Sequence, residues 1–363
     1  MGYEIDFLAV GEKKSGDAIC IRWGNLHGSR DEQKVVVVDA GYTSTAPAIV
    51  EHLEKYYRTK TIDLLISTHP DADHVGGLAS LLENTDVKEF WIHQPWEHNE
   101  NLAQQFADGR ITDASIAKRM QENLQKAYDA VKLAKKKNIE IKEPFQGMTW
   151  DNATLVVVGP TQSYYETLIP DFARMPKKAE TDSGIDFLKA GLESLVEKAK
   201  SFVEFVAEWF KDEGLDDEDT TSAQNNSSVI FKLEIEGKTL LFTGDAGITA
   251  LDRACEFIDN ASLKFIQVPH HGSRRNVGPE ILNKLLGTIV NEGERRGISA
   301  FISCAPGSDK HPHQAVINAF TRRGAKVIAT EGTGKYHYSD SPAREGWSSV
   351  TPKAYVSNYK TEE

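Results

Sequence analysis

Cysteine is scarce in this sequence: three residues, Cys20, Cys255 and Cys304, lie far apart in a chain of 363. An odd number of isolated cysteines does not make the disulfide framework of a small secreted domain. Long apolar runs are also missing, since no segment reaches the roughly 20 residues of a membrane-spanning helix. The first residues do not join a basic stretch to an apolar one, as a signal peptide does. We therefore expect a cytoplasmic protein without membrane contact.

An excess of positive charge is missing too, because the formal net charge is -12. A chain of this charge does not coat nucleic acid through a broad basic face. It can still act on phosphodiesters, since bound metal and a few local cations can supply the positive charge. The composition, 40% hydrophobic and 26% charged, is that of a globular protein. We interpret residues 1–363 as a single hydrolase domain.

Short apolar runs alternate with helical patterns along the chain. Residues 7–10 and 18–23 predict a pair of strands, 35–38 and 62–66 predict buried strands, and 47–57 predicts a helix. Apolar strands between helices indicate sheets that helices cover.

Two helical insertions interrupt this pattern, at about 97–137 and 160–222. The first predicts a long helix or a helix pair. The second contains a predicted helix over 187–210 with a wide apolar stripe. That stripe either docks on its own domain or forms a surface for a protein partner or a second copy of the chain.

Residues 68–77 read Thr-His-Pro-Asp-Ala-Asp-His-Val-Gly-Gly and contain four candidate metal ligands: His69, Asp71, Asp73 and His74. They follow the apolar run 62–66, which places them on a loop between a strand and a helix. Imidazole and carboxylate together suit zinc, manganese or iron rather than calcium. A short turn fixes the directions of ligands at little entropic cost. The alternative is a polar loop in which these residues are incidental.

Later strand ends carry further candidates. Asp245 follows the run 239–242 beside two glycines, where it either bridges metals or caps the next helix. His270 and His271 follow the run 265–268, and one can bind metal while the other orients or protonates substrate. His311 and His313 lie in another loop between a strand and a helix. The candidate catalytic residues are Asp73, His270, His311 and His313.

Polar residues near these strand ends are candidates for substrate binding: Ser273, Arg274 and Asn226. A guanidinium group matches phosphate oxygens in a fork, so Arg274 and its neighbour Arg275 can hold a phosphate. The alternative for both arginines is a solvated surface.

Seven motifs in this order resemble those of the metallo-β-lactamase fold superfamily. The likeness is greatest to the soluble metallo-hydrolase domain of ComEC-type competence proteins and free-standing relatives. The motifs are residues 7–11 with 16–18, then 38–41, 69–74, 225–228, 243–245, 270–273 and 311–313. The resemblance implies an α/β fold, a four-layer αββα sandwich of two mixed sheets with helices outside.

The resemblance also implies a centre for one or two divalent metal ions at one edge of the sandwich. His69 would serve the first metal, Asp73 and His74 the second, and Asp245 would bridge them. His271, rather than His270, would complete the second site. A metal-bound hydroxide would then be the nucleophile, its pKa lowered by the cations.

One departure concerns Asp71, which stands where the commoner motif of the superfamily has histidine; the ComEC-like group shares this change. Residues 158–160 also lack the histidine that many members place there. Additional oxygen ligands shift the preference from zinc toward manganese or magnesium. We predict zinc or manganese as the cofactor.

These features predict a metal-dependent hydrolase, first of all a phosphodiesterase or nuclease whose substrate is a nucleic acid or a nucleotide. Two alternatives stay open. One is hydrolysis of another bond, such as a lactone, thioester or amide. The other is a partner-dependent component of a multi-protein defence or repair system, in which the helical insertions bind another protein.

Overall fold

The computed structural model describes residues 1–179 and 213–357. The helix predicted over 187–210 lies outside the described residues. None of the helices within the described ranges has the length and apolar character that crossing a bilayer requires.

The strands are β1 (Gly2–Phe7), β2 (Ile19–Gly24), β3 (Gln33–Val38), β4 (Thr61–Ile66), β5 (Asp86–Trp91), β6 (Glu140–Lys142), β7 (Thr149–Trp150), β8 (Leu155–Gly159), β9 (Ile230–Ile235), β10 (Lys238–Phe242), β11 (Leu263–Gln267), β12 (Ile298–Ile302), β13 (Ala325–Ala329) and β14 (Lys335–Ser339). The α-helices are α1 (Ala46–His52), α2 (Ala72–Val75), α3 (Leu78–Asn84), α4 (Asp113–Asn123), α5 (Gln125–Lys136), α6 (Gln162–Leu168), α7 (Ala223–Asn226), α8 (Ile248–Cys255), α9 (Pro279–Leu286) and α10 (Gln314–Arg322).

The strands form two mixed sheets of seven strands each. The first has the order β14-β1-β2-β3-β4-β5-β6, and the second has the order β13-β12-β11-β10-β9-β8-β7. Strands β3 to β6 are parallel to one another, as are β10 to β13. Parallel strands end at the same edge of a sheet, so the loops that follow them gather there.

The two faces of each sheet are both covered, which explains the continuous apolar runs in the sequence. Val36 and Val38 face the core between the sheets, together with Phe231 and Phe265. Val35 and Val37 face the opposite way, into a core that includes residues of α1 and α3. A third core joins the second sheet to α8, α9 and α10. This is the expected αββα sandwich.

The first insertion contributes the helix pair α4 and α5. Its apolar side chains, including Ile116, Met120 and Val131, are buried in the same core as Leu78 and Leu81 of α3. The apolar pattern of this insertion is therefore used for packing inside the domain.

The strand predicted over 7–10 was wrong, because β1 spans Gly2–Phe7 and residues 8–10 lie in the following loop. Two charged residues inside β1, Glu4 and Asp6, are fully buried. Arg22 donates through Nε to Glu4 at 2.8 Å, and Arg344 donates through Nη2 to Asp6 at 2.9 Å. These arginines neutralise the two carboxylates, so a strand that contains two charged residues can be buried. Because the arginines are distant in sequence, the local pattern does not reveal the strand.

Candidate metal centre

Loops from both sheets meet at one edge of the sandwich. Asp39 follows β3, His69 follows β4, and Asp245 follows β10. The adjacent His270 and His271 follow β11 in a short 3₁₀ turn. The strand-end positions that the sequence indicated therefore lie close together in space.

A first ligand group consists of His69, His74 and Asp245, all buried. Oδ2 of Asp245 lies 3.7 Å from Nε2 of His69 and 3.4 Å from Nε2 of His74. The same oxygen lies 3.7 Å from Nε2 of His270. Asp245 is thus central to the site. It does not cap the next helix, because α8 begins at Ile248 with Gly247 as its N-cap.

A second ligand group consists of Asp73, His74 and His271. Oδ2 of Asp73 lies 3.5 Å from Nε2 of His271. His74 belongs to both groups, and also to a third that it forms with Asp17 and Asp39, so the possible metal positions are neighbours. Of the adjacent histidines, His271 is the one that meets Asp73, whereas His270 is directed at Asp245.

Asp39 orients two of these histidines. Nδ1 of His74 donates to Oδ2 of Asp39 at 2.7 Å, and the hydroxyl of Thr68 donates to the same oxygen at 2.6 Å. The Thr68 oxygen lies 3.1 Å from Nδ1 of His69, from which it accepts. With both Nδ1 atoms protonated, the Nε2 atoms of His69 and His74 are free to bind a metal.

The other two histidines are held in the same manner. Nδ1 of His271 donates to the carbonyl of Ser303 at 2.8 Å. Nδ1 of His270 donates to Oδ1 of Asn276 at 2.9 Å, and the amide of Asn276 donates to the carbonyl of Asp245. Each of the four imidazoles therefore turns its Nε2 toward the carboxylates.

These residues fit a divalent cation. Nε2 of His69, His74 and His271 and Oδ1 of Asp245 are buried and have no hydrogen-bond partner among the described residues. Burying polar atoms without partners is costly, and a cation held between them would supply the missing partner. The donor set of imidazole and carboxylate is the one that zinc and manganese accept.

Electrostatics lead to the same conclusion. Burial raises the pKa of Asp17 to about 6, and the nearby charges of Asp245 and Asp39 also favour its neutral form, against the effect of His271 and His74. Burial alone would lower the pKa of His271, but the carboxylates of Asp245 and Asp73 outweigh it and raise the pKa to about 9. The carboxylates therefore attract positive charge, which a metal would provide in competition with protons.

A second histidine loop packs against this centre at Gly272. This glycine has φ +83°, and a Cβ there would lie 2.8 Å from Cβ of Pro312. The carbonyl of Gly272 accepts from the backbone N–H of His313 at 3.0 Å. The close approach puts the ring of His311 5.6 Å from that of His270, measured between centroids. Burial lowers the pKa of His311 to about 4, with the charges of His271 and His270 acting in the same direction.

The remaining predicted residues have different surroundings. Asp71 accepts from the amide of Gln224 at 2.6 Å, and its other oxygen lies 3.8 Å from Nε2 of His69. His313 is the N-cap of α10, where its Nδ1 accepts from the backbone of Ala315. Ser273 accepts from the backbone of Arg275 and so stabilises its own loop.

The structure assigns the two neighbouring asparagines different contacts. Asn226, predicted to bind substrate, accepts from the backbone of Gly247 at 3.0 Å and donates to Asp219 at 3.2 Å. These hydrogen bonds hold two loops together, and neither of them is to a residue of the two ligand groups. Asn225 instead lies 3.2 Å from Nδ1 of His270.

Sequence reasoning did not assign a role to Asp39, Asp17 or Gln267. Oδ1 of Asp17 lies 3.6 Å from Nδ1 of His271, and the amide of Gln267 donates to Oδ2 of Asp17 at 2.7 Å. The signal for Asp39 and Asp17 was their place beside glycine in two of the ordered motifs. Gln267 ends an apolar strand, and nothing local distinguishes it.

The sequence profile of the Metallo-beta-lactamase superfamily matches residues 30–285, more than half of the chain. The chain belongs to the metallo-β-lactamase superfamily. The expected resemblance is thus confirmed, and with it the αββα fold. Members of this superfamily are generally metal-dependent hydrolases, so the chain is a metal-dependent hydrolase by family.

One curated relative of this superfamily member is ComE operon protein 3 of Bacillus subtilis, 28% identical over 135 residues. The matched region covers 36% of this chain but only 16% of that protein. Among solved structures, YhfI of Bacillus subtilis is 10% identical with a TM-score of 0.43, covering 93% of this chain and 100% of that one. The metal-dependent hydrolase Tm1679 is 14% identical with a TM-score of 0.44, covering 92% and 98%.

Proposed function

We propose that this metallo-β-lactamase superfamily member hydrolyses phosphodiester bonds in a nucleic acid or a nucleotide. The observation that carries this proposal is the rim of the centre, where the ring of His311 lies 5.6 Å from that of His270 and where the turn that carries His270 leads into Arg274. His270 is 32% exposed, and its Nε2 lies 3.7 Å from Asp245. Groups that hold negative charge are needed for a phosphodiester, whereas a neutral lactone or thioester needs fewer of them.

Five residues would hold the metal: Asp73, Asp245 and the Nε2 atoms of His69, His74 and His271. A bound divalent cation would activate water and neutralise the charge that develops on the phosphate oxygens. Asp71 would add an oxygen near His69. The number of carboxylates supports manganese alongside zinc as the metal.

The rim residues would act on the substrate. Asn276 fixes Nδ1 of His270, so that the exposed edge of this ring can meet a phosphate oxygen. The negative charge of a bound phosphate would raise the pKa of the neighbouring His311 from about 4, and its ring would then hold the phosphate or protonate the leaving oxygen. Arg274, which has no ion-pair partner in the described part of the chain, would contact a phosphate through its guanidinium. The low pKa of the neighbouring His313 comes from burial and from the charge of Arg274.

The overall charge supports a short or terminal substrate rather than a long coated one. With a net charge of -12, the chain has few cations to replace the counterions of a long nucleic acid. Binding to a long duplex would therefore be weak and sensitive to salt. The protein would act in the cytoplasm on this proposal.

The test is a substrate panel on protein stripped with a chelator and then supplied with manganese, magnesium or zinc. The panel contains bis-p-nitrophenyl phosphate, single- and double-stranded DNA, RNA, cyclic nucleotides, a lactone and a thioester. We expect metal-dependent hydrolysis of a phosphodiester. Hydrolysis of the lactone or thioester alone would contradict this proposal and support the alternative of a metal-dependent hydrolase that acts on another bond. Activity that requires an added protein would support the partner-dependent role.

A further inference from the structure

A groove of about 380 Å³ opens beside the metal centre. One wall is the metal-binding loop around Asp71. The opposite wall comes from the two insertions, at residues 122–126 and at Arg174. Asp71 belongs to both the groove and the centre, because its Oδ2 lies 3.8 Å from Nε2 of His69. The groove therefore borders the proposed reaction site at Asp71.

Two amide side chains hold the groove in shape. Gln224 donates to Asp71 at 2.6 Å, and its oxygen accepts from the backbone N–H of Ala173 at 2.7 Å. Asn123 donates to the carbonyls of Ala173 and Arg174, both at 3.4 Å. These bonds connect the first insertion, the second insertion and the metal-binding loop. A groove formed before binding loses little entropy when a ligand enters.

Two cations line the groove, Lys126 and Arg174. Lys126 and Arg174 are exposed, and neither forms an ion pair within residues 1–179 and 213–357. Two carboxylates share the lining: Asp71, which accepts from the amide of Gln224, and Glu122, whose carboxylate lies 3.9 Å from Nζ of Lys118. Each of the two carboxylates already has a polar partner, so Lys126 and Arg174 are the lining groups that would pair with an anionic ligand.

We propose that this groove binds the phosphate next to the one that is hydrolysed, with Lys126 and Arg174 as its contacts. The inference rests on the proposed phosphodiesterase function and narrows its substrate. An oligonucleotide or dinucleotide has a second phosphate for the groove, whereas a cyclic mononucleotide with a single phosphate leaves it empty. The groove volume is within the range of small-ligand sites, roughly 300–1,000 Å³.

The test compares Lys126→Gln and Arg174→Gln with the unaltered protein on two substrates. One is bis-p-nitrophenyl phosphate, with a single phosphate; the other is a short single-stranded oligonucleotide, made as DNA and as RNA. Each substitution should lower the ratio of kcat/KM for the oligonucleotide to kcat/KM for bis-p-nitrophenyl phosphate by about tenfold, as expected for one lost charge-assisted hydrogen bond.

Lys136→Gln is the matched control, since Lys136 is exposed at the far end of the same helix and the change in charge is the same. An equal fall in the ratio for Lys136→Gln would show a general effect of charge and overturn the groove proposal. So would an unchanged ratio in both groove variants.

Binding separates this inference from the proposed function. Fluorescence anisotropy of the labelled oligonucleotide measures affinity even when no substrate is hydrolysed. Weaker binding by Lys126→Gln and Arg174→Gln, but not by Lys136→Gln, would support the groove even if the phosphodiesterase proposal failed. Absent or unchanged binding would overturn it even if bis-p-nitrophenyl phosphate were hydrolysed.

Discussion

Asp39 accepts a hydrogen bond from Nδ1 of His74 at 2.7 Å. Its other oxygen accepts from the backbone N–H of Thr68 at 2.8 Å. The Thr68 hydroxyl donates to Asp39 and accepts from Nδ1 of His69, and so connects Asp39 to that second imidazole. Both oxygens of Asp39 are therefore already used. We interpret Asp39 as a positioning residue, which directs two imidazoles rather than binding the metal itself.

Asp39→Asn should weaken metal binding by about 10- to 100-fold, the usual effect of removing such a support. The neutral amide attracts the imidazole N–H less strongly than the carboxylate does. Calorimetric titration of the metal-free protein with manganese or zinc measures the affinity. Asp86→Asn, at an exposed position at the start of β5, is the control for the same change in charge. An affinity equal to that of the unaltered protein would show that Asp39 has no such role.

Asp245→Asn should abolish metal-dependent hydrolysis and reduce the bound metal. The fold should be retained, because Gly247 and not Asp245 is the N-cap of α8. The thermal stabilisation that metal confers on the unaltered protein, about 2.7 kcal/mol at 100 times Kd, should disappear. Melting curves with and without metal test this. Asp252→Asn, on the exposed side of α8, should keep the full metal response.

His311→Ala should lower kcat for a phosphodiester by about 10²- to 10⁴-fold, the range for a lost general acid. The metal content should not change, because the ring of His311 lies outside both ligand groups. Metal analysis and steady-state kinetics are the measurements. His27→Ala, on the surface, is the control. If His311→Gln restores most of the rate, the residue holds the phosphate and does not transfer a proton.

Arg344→Met should destabilise the fold by about 3–5 kcal/mol at pH 7, because it removes the guanidinium that pairs with the buried Asp6, while Glu4 keeps Arg22. Arg344 lies 3.0 Å from Glu4, and its guanidinium is 3.9 Å from the ring centre of Tyr336. Urea unfolding measures the loss. Lys353→Met removes a half-exposed pair with Glu331 and should cost no more than about 1 kcal/mol.

The loss in Arg344→Met should depend on pH. Burial alone would raise the pKa of Asp6, but hydrogen bonds and charge from His52 and Arg344 outweigh it and lower the pKa. The stabilisation from a lowered carboxyl pKa is fully present above the unfolded value of about 3.9 and is lost as pH falls below it. The difference between variant and unaltered protein should therefore shrink below about pH 4. A difference that stays constant would assign the loss to aromatic packing.

The loop that carries the candidate metal ligands was predictable because its signal is local. His69, Asp73 and His74 lie within six positions after an apolar run, and such a run ends where a sheet has its edge. Asp245 and His271 gave the same kind of signal at later strand ends. The alternation of these runs with helical patterns also indicated the layered fold.

Contacts between distant residues were not predictable in this way. The strand β1 was missed because Glu4 and Asp6 look like solvated charges until Arg22 and Arg344 are placed beside them. Asn226 was chosen over Asn225 because a motif gives an order of residues but not the direction of their side chains.

The amino-acid sequence by itself determined most of the buried strands other than β1 and the side chains that stand at their ends, because hydrophobic period and strand-end position are properties of consecutive residues. Only the tertiary structure decided which nitrogen of each histidine is free, since Asp39 and Ser303 come from other loops and the loop that carries His270 must fold to bring Asn276 to it. It also decided where the groove lies, because Lys126 and Arg174 come together only when two insertions fold against one metal-binding loop. Such a site forms where loops from different strands meet at one edge of the sheets. Which loops meet there depends on tertiary packing and not on the spacing of residues along the chain.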